Sequence, residues 1–79
     1  MKTKTQTVPK KLEGKIDIYD SGAVVQNELS GASIKLNALE LSMYDLTMGA
    51  ERMGKWAIVQ LCKDWFIKNN SKAYSVLLD

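Results

Sequence analysis

The hydrophobic period of this sequence changes once, at Asn37-Ala38-Leu39-Glu40, and that change limits the chain to few architectures. Before it, "KIDIYDSGAVVQNELSGASIKLN" alternates Ile16 and Ile18 with polar neighbours, then places Val24-Val25, then Ile34 and Leu36. A period near two belongs to half-buried strands. After it, apolar residues recur at helical spacing. The Asn37-x-x-Glu40 spacing is that of a capping box. In it the Asn side chain accepts from the Glu N–H while the Glu carboxylate accepts from the Asn N–H.

Asp20-Ser21-Gly22 and Ser30-Gly31 punctuate the alternating region as turns. They predict three short antiparallel strands, at about 16–20, 23–29 and 32–36. A meander this small does not persist alone in water, so helices must cover one face. The expected fold is α+β: a three-stranded antiparallel β-meander packed on two helices plus a short C-terminal helix. Residues 16–79 form one compact domain, and residues 1–15 form a flexible basic leader. With 79 residues, there is room for one small core only.

The first predicted helix, 38–53, is apolar on two sides when wound at about 100° per residue. Leu39, Met43, Leu46, Ala50 and Met53 fall on one stripe, and Leu41, Tyr44 and Met48 on a second nearly opposite. Such a helix is usually central. Either sheet and second helix cover one stripe each, or the stripe of Leu41, Tyr44 and Met48 meets a partner. Gly54 has the position of a C′ glycine, and Gly49 either loosens the helix or admits a close backbone. The second helix, 55–68, gathers most apolar residues on one face, but Trp56 and Ile67 project toward the polar side. Trp56 either staples the helix start or anchors a partner, a role in which tryptophan is enriched. Ser71 is in place to cap a last short helix. There Tyr74, Leu77 and Leu78 share one side, so the apolar ending reads as a lid on the core.

Candidates for chemistry are few. The chain has no histidine, which removes the commonest general base and metal ligand. Cys62, the single cysteine, falls on the apolar face of the second helix and reads as a buried structural thiol. Asp17, Asp20 and Glu28 lack calcium-loop spacing. "MGAERMGK" matches part of a phosphate-loop pattern, yet Trp56 stands where Ser or Thr would hold magnesium and a helix precedes it. No catalytic residue, cofactor or metal is expected, and enzyme activity is the least favoured class. No apolar run is long enough for a membrane helix and no signal peptide is evident, so a cytoplasmic protein without membrane contact is expected.

Charge is uneven. Lys2, Lys4, Lys10, Lys11 and Lys15 face only Glu13 in the first fifteen residues, whereas the remainder carries six bases and eight acids. A basic arm of this kind can hold nucleic acid electrostatically. The domain itself has no basic face, which argues against a helix-turn-helix reading of its two helices.

The segments "LNALELSMYDLTMGAERMGKW" and "DWFIKNNSKAYSVLLD", within residues 36–79, resemble small uncharacterised proteins of tailed bacteriophages, marine cyanophages among them. These share a helix beginning "LNALELS.YD" and an ending of the type "DWF.KNN..AY..LLD". This chain has Ser71 where those relatives have proline. The resemblance brings no activity and no functional residue with it. It implies a setting, infected bacterial cytoplasm, and a small product that acts on something larger. Three readings follow: a non-enzymatic module that binds a host or phage protein through Trp56 with Ile67, or through Leu41, Tyr44 and Met48; a nucleic-acid-associated protein using the lysine arm; and a self-assembling structural component or homodimer.

Overall fold

The computed structural model describes residues 6–79; Lys2 and Lys4 of the expected arm lie outside the described residues. The fold is α+β. A 3-10 turn, Lys10–Leu12, is followed by strands β1 (Ala23–Gln26) and β2 (Ser33–Leu36), helices α1 (Ala38–Arg52) and α2 (Trp56–Asn69), a short α3 (Ser71–Ala73) and a π-helical turn, Tyr74–Leu78. The two strands pair antiparallel, with Val25 opposite Ile34 and Val24 opposite Lys35. Val25 and Ile34 face the core and Val24 faces solvent.

The expected third strand does not form. Residues 16–20 are extended without joining the sheet, because their polar partners lie on α1: the Tyr19 N–H donates to Ser42 Oγ (2.9 Å) and its phenol donates to Asp45 Oδ2. Ile16 still packs on the core while Ile18 is exposed. The segment is thus a strap on a helix. The hairpin tip explains why the remaining strands are shorter than predicted. Asn27 Oδ1 accepts from the Leu29 and Ser30 N–H groups, and the Asn27 N–H donates to the Ala32 carbonyl, so the chain turns from Asn27 onward.

The capping box forms as its spacing predicts. Asn37 Oδ1 accepts from the Glu40 N–H (2.8 Å) and Glu40 Oε1 accepts from the Asn37 N–H (2.9 Å). At the other end of α1, Gly54 has φ +70°, the Lys55 N–H donates to Ala50 O and the Gly54 N–H to Glu51 O. That pair of bonds is a Schellman motif. Burial on α1 follows expectation at Met43 and Ala50 of the first stripe and departs from it at the polar Glu40, Ser42 and Thr47, which are buried as well. These three carry their own partners: Thr47 Oγ1 donates to Met43 O (2.6 Å) and Ser42 Oγ to Ala38 O (2.7 Å). Met53, assigned to the first stripe, lies past the helix end and is exposed.

Glu40 has a wider role than capping. Its second oxygen accepts from Gln6 Nε2 (2.8 Å) and Asn70 Nδ2 (3.0 Å), while Asn37 Nδ2 donates to Gln6 Oε1. Asn70 Oδ1 in turn accepts from the Ala73 N–H, so Asn70 caps α3 and Ser71 does not. Among the described residues no buried side-chain polar atom lacks a partner.

Within the expected leader, residues 6–15 make contacts with the body. Leu12 is fully buried beside Leu36, Met43, Cys62, Trp65, Phe66 and Ala73. The Trp65 indole N–H donates to Thr7 O (2.7 Å), and Trp65 meets Phe66 edge to face at 5.1 Å. Burying one leucine contributes about 1.5–3 kcal/mol, and the core contacts of Val8 and Ile16 add to it. The segment's single deep contact is hard to see among lysines and threonines. The C-terminal lid is present: Leu77 and Leu78 pack on the core, and Asn27 Nδ2 donates to Val76 O (2.9 Å).

Two glycines make opposite predictions. A Cβ on Gly22 would lie 1.9 Å from Leu36 O, whereas one on Gly49 would meet nothing within 4 Å. Gly22→Ala should lower stability by about 1–3 kcal/mol or more, and Gly49→Ala should raise it by about 0.5–1 kcal/mol. Urea unfolding followed by tryptophan fluorescence checks both; a neutral Gly22→Ala would contradict the close approach of residue 22 to β2.

Candidate functional site

Three surfaces hold the residues of interest. The first is the outer face of α2. Trp56 is 63% exposed and Ile67 49% exposed. Eleven residues apart, they return to one line of the helix, separated by roughly 16 Å along its axis. Met53, 69% exposed, stands just across the Gly54 corner. The Trp56 indole reaches back toward that corner, where its Nε1 lies 4.0 Å from the point a Gly54 Cβ would occupy. It leans on the corner and still shows most of its surface to solvent. Between Trp56 and Ile67 the face is polar, with Gln60 Nε2 donating to Asp64 Oδ1.

The second surface is a groove of about 340 Å³ between the hairpin tip, α1 and the C-terminal turn. Tyr44 and Met48 line it, one helical turn apart, with Leu77 and Leu78 opposite. Leu41, the third member of that stripe, packs on the core with Tyr44. The structure therefore separates the two sets of candidate residues: Trp56 with Ile67 on α2, and Tyr44 with Met48 in the groove. Burial lifts the Tyr44 phenol above its ordinary pKa, and Glu28, Glu51 and Asp45 lift it further. Leu29, not singled out from the sequence, also lines this groove and is 99% exposed. The signal for it was an aliphatic residue inside an Asn-x-Leu-Ser-Gly turn.

The third surface is a cleft of about 560 Å³ under the 15–19 strap, lined by Lys15, Asp17, Asp45, Arg52 and Lys55 with Tyr19 across it. Charges of both signs alternate there. The hydrogen bond to Asp45 is the main reason the Tyr19 phenol titrates higher than usual. Lys10 and Lys11 are exposed on the turn anchored by Leu12, so these lysines belong to the surface of the body.

Cys62 is buried on the inner face of α2. Burial pushes its thiol up, against a smaller opposing effect of a hydrogen bond with Thr47. No group of three or more His, Cys, Asp or Glu side chains converges as a metal site among the described residues. No described helix is long and apolar enough to cross a membrane. Comparison with protein families, with curated proteins and with solved structures finds no match for this chain.

The thiol and the two phenols share a sign. A group whose pKa is raised by folding adds stability that is complete below its unfolded value and is lost as pH climbs through the folded one. Stability should therefore decline above about pH 9, where the unfolded thiol and then the unfolded phenols ionise. Urea midpoints measured at neutral and at alkaline pH test this, and Cys62→Ala should remove the earliest part of the decline. A flat profile would contradict the burial of Cys62 and Tyr44 and the hydrogen bond between Tyr19 and Asp45.

Proposed function

We propose that this protein is a small non-enzymatic binding module whose contact with a protein partner is built on Trp56. The observation that carries the reading is the pair of large apolar side chains, Trp56 and Met53, exposed on either side of the Gly54 corner. A tryptophan held on a fixed corner presents its ring at little entropic cost, which suits a binding hot spot. Ile67 extends the same line of α2. The setting we propose, the cytoplasm of a phage-infected bacterium, is supported by the resemblance of residues 36–79 alone.

The nucleic-acid reading ranks behind this one. Lys10, Lys11 and Lys15 remain open to phosphates, but the segment that carries them is committed to the core through Leu12 and Thr7. A self-assembling component is the third reading, and it would bury the same exposed residues between copies.

Trp56→Glu should leave the fold and its unfolding midpoint close to the parent, because the ring contributes little buried area. It should abolish capture of the partner from bacterial lysate; loss of an anchor of this kind costs about 2 kcal/mol or more. Equal capture by both proteins would place the contact elsewhere, and a mass that doubles with concentration in the parent alone would favour self-assembly.

A further inference from the structure

The groove beside Tyr44 differs from the rest of the surface in its combination of chemistry. Tyr44, Met48, Leu77 and Leu78 form an apolar strip of its lining, beside the polar Gln26 and Asn27. Its charged lining residues are Glu28, Glu51 and Asp79, and neither lysine nor arginine lines it. The cleft under the strap, by contrast, mixes both signs. Burial first, and then the nearby Glu28 and Glu51, raise the Tyr44 phenol above its ordinary pKa.

Leu29 adds a second observation. A leucine that gains no burial on folding normally sits on a loose loop, yet this one is held in place: the Leu29 and Ser30 N–H groups both donate to Asn27 Oδ1. The same Asn27 reaches across with Nδ2 to Val76 O, joining the hairpin tip to the C-terminal wall. The backbone at the mouth of the groove is therefore held in place, with the Leu29 side chain standing in solvent there. The groove's volume of about 340 Å³ is large enough to admit an aliphatic side chain.

We propose that this groove is a docking site for a short cationic segment of a partner protein, one that inserts an aliphatic side chain between Met48, Leu77 and Leu29 while flanking Lys or Arg residues pair with Glu28 and Glu51. The apolar contact supplies affinity and the acidic rim supplies selection, since a segment bearing carboxylates meets like charge there. The surface is separate from Trp56, so the two contacts stand or fall independently.

The test uses the full chain and three labelled peptides: one of repeated Lys-Leu-Ala-Lys units, one with Glu replacing each Lys, and one with Ser replacing each Leu. Fluorescence anisotropy should show saturable binding of the first, at least about tenfold tighter than either other peptide. Backbone amide shifts should change at residues 27–29, 48 and 77–78. Raising the salt from about 0.05 M to about 0.3 M should weaken binding as the rim is screened. The exposed double variant Glu28→Lys with Glu51→Lys should lose about tenfold in affinity for the Lys peptide and gain for the Glu peptide, while Trp56→Glu binds as the parent does. No saturable binding, or binding indifferent to the charge reversal, overturns the proposal. So does a concentration-dependent dimer that shifts the same amides without peptide, which would assign the groove to a second copy.

Discussion

A buried carboxylate that accepts from amide N–H donors far apart in the sequence governs how this chain closes. Glu40 is 5% exposed, and among the described residues its side chain accepts from the Asn37 N–H and the side-chain amides of Gln6 and Asn70. A buried acceptor of this kind is costly when only partly satisfied, and hydrogen bonds to a charged group are each worth about 1.5–3 kcal/mol. Those donors come from positions 34 residues before Glu40 and 30 residues after it. The N-terminal segment, the start of α1 and the α2–α3 junction must therefore arrive together. Leu12 and Trp65 secure the same union from the apolar side, through the core cluster and the indole bond to Thr7.

This constraint explains which features were legible in the sequence. Signals that act within a few residues translated directly: the Asn37–Glu40 box, the Gly54 stop, the outward Trp56 and Ile67, and the inward Cys62. Signals that depend on distant partners did not. Ile16 and Ile18 alternate as a strand would, but the Tyr19 N–H and phenol found Ser42 and Asp45 on α1, so the segment became a strap. The leader reads as solvated because Leu12 is one apolar residue among lysines, and nothing local announces that it completes the core. On α1 the polar Glu40, Ser42 and Thr47 are buried beside Met43 and Ala50, since each brings hydrogen-bond partners that hydrophobic periodicity ignores.

The same division applies to the candidate surfaces. Trp56 stood out from the sequence as a large residue on the wrong side of its helix, and the structure leaves it exposed. The groove needed three dimensions: Tyr44 and Met48 come from α1, Leu77 and Leu78 from the last turn, and Leu29 with Glu28 from the hairpin tip. Asn27 joins the last two of these elements with a single side chain. Both surfaces lie on fixed backbone, which lowers the ordering cost of recognition, and they differ in character. One is a projecting ring with little charge around it, and the other is a recess with an acidic rim.

The dependence of the whole fold on Glu40 is tested most directly by amide hydrogen exchange on Glu40→Gln. The substitution keeps the shape of the side chain but turns one acceptor into a donor facing Gln6 and Asn70. Stability should fall by about 1–3 kcal/mol, with exchange accelerated at the Ala73 amide and the Trp65 indole as well as in the first turn of α1. Unchanged stability, or faster exchange confined to residues 37–41, would contradict the account and reduce Glu40 to a local cap.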